Sequence, residues 1–280
     1  MPDHADWFAD NRANWDDRAA VHEAAGYGIA ELAADPQALS PVVARDIERI
    51  GHLTGLDVCH LQCHLGTDTV SLARLGARRV VGLDFSAEAV RRARTVAARC
   101  GAEVEFVVAN VYDARSAIAG DLDVVYTSIG ALPWLPDVAG WARVVASLLR
   151  PGGRVFLRED HPFRATIADD VSDGLRVAYP YFEQDEPLTW DEAHTYVSVP
   201  EGAPVISHTI QHEWNHGIGE VVTALIRAGL VIDELAEFDH MAWTPWPSAM
   251  VESERGAMLA EHPERLPLEY AVRAHRPTAS

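Results

Sequence analysis

At 280 residues, with 48% hydrophobic and 23% charged side chains, the chain has enough apolar material for a full core without disulfides or a metal. A formal charge of −19 repels phosphate backbones and argues against nucleic acid as a general partner. Three sparse cysteines (Cys59, Cys63, Cys100), an acidic start unlike a signal peptide and no apolar run near the ~20 residues of a membrane span lead us to expect a soluble cytoplasmic protein.

Residues 1–50 read as helices. NRANWDDRAAVHEAA is the first segment, and a second starts at Ser40, an N-cap with Pro41 at the first helical position. From Leu56 short apolar runs alternate with helices. LDVCHL is a buried strand, TDTVSLARLG a short helix closed by Gly76, and RRVVGLD a second strand. SAEAVRRARTVAARCG is a helix capped by Ser86, with Ala89, Val90, Ala93, Val96 and Ala97 on one face.

EVEFVVANV and DVVYTS follow as third and fourth strands. A helix from about Asp137 carries the stripe Val138, Trp141, Val144, Val145 and Leu148, and stops at Pro151–Gly153 before a fifth strand, RVFLRE. Strands alternating with helices imply right-handed crossovers and a doubly wound, mostly parallel sheet. Residues 161–216 interrupt that rhythm. Their alternating runs TYVSV and VISHTIQHEW look like an antiparallel pair, and they hold Tyr179, Tyr181, Phe182, Trp190, Tyr196 and Trp214. GEVVTALIRAGL is a late helix, and VIDELAEF and LEYAVRAH are the last two strands, making seven. Residues 241–267, with Trp243 and Trp246, form a second excursion.

The turn after the first strand, VCHLQCHLGTDTVSLARLG, feeds a helix N-terminus, where unpaired backbone N–H groups can face a ligand. Gly66 is its only glycine before the helix. Asp84 ends the second strand about 20 residues on, where a carboxylate can accept hydrogen bonds from two ribose hydroxyls. Helix capping does not account for Asp84, because Ser86 serves there.

Taken together, VCHLQCHLGTDTVSLA, VVGLDFS, FVVANVYD, DVVYTSIGALPWLPD and LLRPGGRVFLRED resemble the class I S-adenosylmethionine-dependent methyltransferases over Leu56–Phe163. The resemblance is greatest to a bacterial small-molecule subgroup whose turn reads LQCHxG, and NRANWDDRA and HEWNHGIGEVVTALIRAGL are also similar to it. It implies S-adenosyl-L-methionine as cofactor, with contacts at Gln62, Cys63, Gly66, Thr67, Asp84, Phe85, Asn110, Val111 and Thr127. The usual family turn has Asp where His60 stands and Gly where Gln62 and His64 stand, so two side chains must fit a turn built for none. Asn110 replaces a common Asp, and its carbonyl oxygen can still meet an adenine amino group.

The organisation we expect is a Rossmann-like α/β core with additions: a helical lid (1–50), a cofactor-binding core (51–160), a substrate-cap insertion (161–216) and a closing helix with two strands (217–280). Trp15, Arg18, His22 and Tyr27 are candidates for the lid, and His212 and His216 for the substrate pocket. Methyl transfer chiefly needs a positioned nucleophile, with a base only for a protonated acceptor. His161, just after the fifth strand, is the candidate base, ahead of Glu159 and Asp160. The acceptor is a small molecule, with neither nucleic acid nor membrane as partner, and the leader and apolar excursions offer a homodimer contact.

Rival readings are another S-adenosylmethionine reaction such as cyclisation, a nicotinamide oxidoreductase, or a nucleoside-binding protein. His212–His216 also matches the zinc-peptidase pattern H-E-x-x-H, which needs both histidines on one helical face. Here they straddle a strand-to-helix junction, and Val222 stands where a third ligand belongs. A zinc-peptidase site is therefore not expected from that motif, although His208, His212 and His216 could line a substrate pocket or bind an adventitious metal.

Overall fold

The computed structural model describes residues 5–278; residues 1–4 of the expected lid and residues 279–280 of the polar tail lie outside them. The leader folds as α1 (Ala5–Ala24), α2 (Ile29–Ala34) and α3 (Pro41–Ile50). Ser40 caps α3 by accepting from Val43 N. The alternating core then runs β1 (Asp57–Leu61), α4 (Thr67–Arg74), β2 (Arg79–Asp84), α5 (Ala87–Arg99), β3 (Glu105–Val108), α6 (Ala114–Ala117), β4 (Leu122–Thr127), α7 (Val138–Leu148) and β5 (Leu149–Asp160). The insertion supplies β6 (Leu188–Asp191) and β7 (Ile210–Glu213). After it come α8 (Ile218–Arg227), β8 (Val231–Phe238), β9 (His240–Met241), β10 (Met250–Ser253), β11 (Gly256–Leu259) and β12 (Glu269–His275).

Seven strands form the main sheet in the order β3-β2-β1-β4-β5-β12-β8. Only β12 runs against its neighbours β5 and β8. The order reverses between β1 and β4, and ligands bind at the carboxyl edge of such a switch point. Alternation along β1 divides the core between two faces. Cys59 and Leu61 face the cluster containing Trp141, Val145 and Leu225, whereas Val58 faces Val43, Ile50 and Leu72. The predicted α5 face (Ala89, Val90, Ala93, Val96, Ala97) is buried throughout.

Two expectations need correction, and the second excursion gains a structure of its own. Pro151–Gly153 does not precede the fifth strand but lies within β5. Pairing with β4 slips between Leu122 and Val124, and Gly153 sits so close that a Cβ would lie 2.9 Å from Leu122 O. TYVSV forms no strand. The partner of β7 is Leu188–Asp191, because Thr195 and Tyr196 bond to the leader instead. The excursion at 241–267 is a three-stranded sheet, β10-β11-β9, with Met241, Trp246, Met250 and Leu259 in a core of its own.

A buried ion cluster joins the leader to the late strands. Arg158 of β5 donates to Asp46 of α3 at 2.9 Å and to Glu269 of β12 at 2.8 Å, all three essentially inaccessible. Burial raises the Asp46 carboxyl, and pushes Glu269 up to about 7.

Candidate active site

The turn leaving β1 keeps a glycine-like path, with side chains at two of its three left-handed positions. Gln62 has φ +58°, His64 +47° and Gly66 +74°. Left-handed backbone of this kind costs a side-chain-bearing residue about 1–2 kcal/mol. Contacts made by those same side chains offset the strain. Gln62 Nε2 donates to Ala131 O at 2.7 Å, which ties the turn to the loop after β4, and His64 Nε2 meets His22 Nδ1 at 2.8 Å. Gly66 is required by packing as well as by φ, since a Cβ there would lie 3.0 Å from Ala93 and Phe106. Cys63 points into the core, so only its backbone faces the turn.

Asp84, at the end of β2, closes the turn from the other side. Its carboxylate accepts from His64 N at 2.8 Å and from Ser86 N at 2.9 Å. Each oxygen keeps a second lone pair for a hydroxyl donor. Burial pushes this carboxyl up to about 6 against those donors, with nearby Asp16 adding to the rise. Phe85 is half-buried beside it. Asn110 Oδ1 accepts from Tyr112 N at 3.1 Å, so the acceptor expected for adenine is shared with its own turn; Val111 is buried. Thr67 opens α4, and Thr127 ends β4 opposite Leu61. Three buried polar atoms here lack partners: Gln62 Oε1, His64 Nδ1 and Thr127 Oγ1.

The leader lies over this turn. Asn11, Asn14, Arg18 and His22 form a helical stripe on α1 that is polar yet buried. Asn11 pairs with both backbone groups of His212, Asn14 donates to His208 O at 2.6 Å, and Arg18 donates to Gln211 Oε1 at 2.7 Å. Trp15 packs edge-on to His64 and Trp134 at 5.0 and 5.1 Å, and Tyr27 Oη meets Tyr196 Oη at 2.8 Å. Burial pushes His22 down to about 2 and His64 to about 3, so this histidine pair is neutral.

Beyond β4 the chain is braced by Glu159. Its carboxylate accepts from the N–H groups of Gly130, Ala131, Leu132 and Asp160 at 2.6–2.9 Å. Burial and Asp160 nonetheless push it up to about 7. His161 follows, with Nε2 on Glu237 Oε1 at 2.9 Å and Nδ1 accepting from Phe163 N at 3.1 Å. Both nitrogens are occupied, and a base role needs Nδ1 to be released.

Residues 58–153 match the family model of a methyltransferase domain. A crystal structure of an S-adenosylmethionine-dependent methyltransferase from Mesorhizobium loti superposes with TM-score 0.53 at 22% identity, covering 83% of this chain and 98% of that one. Another, from Clostridium acetobutylicum, gives 0.56 at 12% identity, covering 84% and 89%. Residues 58–153 thus carry the sequence of a methyltransferase domain, set in the same fold as those structures. The ubiquinone biosynthesis O-methyltransferase of Xanthomonas euvesicatoria pv. vesicatoria is 36% identical over 120 residues, 43% of this chain and 49% of that protein. The chain spans about half the length of the curated relatives it matches.

Within this methyltransferase domain the predicted cofactor residues converge on the carboxyl edge around the β1 turn. The lid candidates Trp15, His22 and Tyr27 join them through His64. His212 and His216 do not share a site. His212, in β7, bonds to Thr189 and Asp10, whereas His216 bonds to Glu183 and Leu135 O. The zinc-peptidase arrangement is therefore absent among the described residues. Sequence reasoning did not single out the bracing role of Glu159 or the polar stripe of α1. The spacing of Asn11, Asn14, Arg18 and His22 on one helical face was the available signal.

Proposed function

We propose that this protein is an enzyme that transfers the methyl group of S-adenosyl-L-methionine to an N, O or C centre of a small molecule. The observation that carries the reading is the β1 turn. It takes a left-handed path at Gln62, His64 and Gly66, although two of these carry side chains, and it faces Asp84. The residues present fit the cofactor. Asp84 would hold the ribose hydroxyls through its free lone pairs, Phe85 and Val111 would flank the adenine, and Asn110 would meet its edge. The unpartnered Gln62 Oε1 and Thr127 Oγ1 are polar groups for the amino-acid end, next to the backbone of Cys63, Gly66 and Thr67. When bound, the sulfonium supplies an electrophilic methyl group.

The chain's own work is then positioning and water exclusion. Trp15, Arg18, His22 and Tyr27 cover the turn as a lid, and residues 161–216 border the acceptor's side. One group can take a proton from an acceptor, His161 once Phe163 N–H releases Nδ1; His64, held at about 3 by burial, is too weak a base. The small-molecule reading of the acceptor draws support from the relatives' description as ubiquinone biosynthesis enzymes. No helix among the described residues is long and apolar enough to cross a membrane.

Calorimetry with S-adenosylmethionine, S-adenosylhomocysteine and NAD tests the cofactor. Binding of the first two and not of NAD is expected, and the reverse removes the proposal. Mass spectrometry of the spent cofactor with candidate acceptors then separates methyl transfer, which releases S-adenosylhomocysteine, from cyclisation or mere binding.

A further inference from the structure

His216 stands apart from the cofactor turn, at the junction where β7 gives way to α8. Its Nε2 lies 2.7 Å from Leu135 O, and a carbonyl oxygen only accepts, so Nε2 carries the proton. Nδ1 is thereby left to face Glu183 Oε2, 2.8 Å away. That contact is bridged either by a second ring proton or by a metal ion held beside both atoms. Glu220 completes the group: one ligand atom each from Glu183, His216 and Glu220 lies within 4.8 Å of the others.

We propose that Glu183, His216 and Glu220 form a divalent-metal site, with Zn²⁺ or Mn²⁺ suited to one imidazole and two carboxylates. The second shell has the form metal-binding histidines use, the remote ring N–H donating to a backbone carbonyl. His216 is buried, Glu183 half-buried and Glu220 exposed, so the site is anchored on one side and open on the other. Glu220 also accepts from Gly217 N at 3.1 Å, which answers the positive end of α8 and leaves it lone pairs for an ion. A single proton on Nδ1 would satisfy Glu183 alone. The second carboxylate on the same side favours a doubly charged ion.

Such an ion would join three separate segments: the insertion through Glu183, the start of α8 through Glu220, and the loop after β4 through the His216–Leu135 bond. Its role is to fasten the insertion to the core, independently of the reaction proposed above.

The test uses untagged full-length protein, stripped with chelator and titrated with ZnCl₂ and separately with MnCl₂ by calorimetry. One ion per chain is expected, together with slower proteolysis of the 182–187 segment when metal is present. His216→Ala should weaken binding by about tenfold or more, and so should the isosteric double variant Glu183→Gln/Glu220→Gln, which guards against a folding defect in the first. No binding to the wild type overturns the proposal. Unchanged affinity in the double variant does so too, and would assign the ion to another surface histidine.

Discussion

Asp84→Asn separates what the turn costs the protein from what it does for a ligand. The wild-type carboxyl lies at about 6 when folded, against an ordinary 3.8, because it is buried. The native state therefore holds this proton more tightly than the unfolded chain. Asp84 favours folding below about pH 4 and loses that contribution as pH rises through about 6. Holding the charge at about pH 8 corresponds to about 3 kcal/mol against the folded state. Asparagine removes that charge, but its NH₂ must face either His64 N or Ser86 N, an unmet donor costing about 1–3 kcal/mol.

The two effects nearly cancel, so at about pH 8 the variant should lie within about 2 kcal/mol of wild type in urea unfolding. At about pH 4.5 the wild type should regain about 2 kcal/mol relative to the variant, other acid-sensitive groups being common to both. Cofactor affinity by calorimetry at about pH 8 should meanwhile fall about 10–100-fold, since charge-assisted bonds to the ribose are lost. A stability difference that does not change with pH would refute the buried-charge argument. Undiminished affinity would refute the ribose assignment.

Gly66→Ala should destabilise the fold by about 2–4 kcal/mol in urea unfolding, combining left-handed strain with a Cβ 3.0 Å from Ala93 and Phe106; a loss under about 1 kcal/mol would mean the turn can shift. Arg158→Ala should cost about 3–5 kcal/mol at neutral pH, because buried Asp46 loses its hydrogen-bonded cation and Glu269 keeps only Arg45 at 3.5 Å. His22→Ala, which breaks the bonds to His64 and Thr195, should raise the cofactor KM more than it lowers kcat and should speed proteolysis within the leader. His161→Ala should reduce turnover with little change in cofactor affinity. A fully active variant would refute a base role for His161.

Strands β1–β4 and helices α3, α5 and α7 were legible because each carries its own signal: a short β-branched run, a capping serine or aspartate, or an apolar face of period 3.6. Asp84 was legible for a different reason, its spacing from the first turn. The parts that misled are those whose side chains answer to distant partners. Thr195 and Tyr196 alternate as a strand would, yet they bond to His22 and Tyr27 far away in sequence. Helix α1 was legible as a helix, but the burial of its polar stripe was not, because that stripe is satisfied by hydrogen bonds to the distant β7 segment beside the apolar contacts of Trp7, Trp15 and Ala19. The Gln62 and His64 conformations could be anticipated as a problem but not resolved, since the compensating contacts lie on Ala131 and His22.

The stitching of α1 has a consequence for traffic. Asn11, Asn14, Asp17 and Arg18 fasten the leader to residues 207–212, while Asp16 holds Ser86 and the start of α5. A molecule bound for the turn beneath cannot slip past a loose flap. It would wait until the bonds from leader to core, Asp16 to Ser86 and His22 to His64, break together, and leader and insertion would then swing as one door. Arrival would be governed by how often that door opens, so the association rate would saturate with concentration instead of climbing without limit.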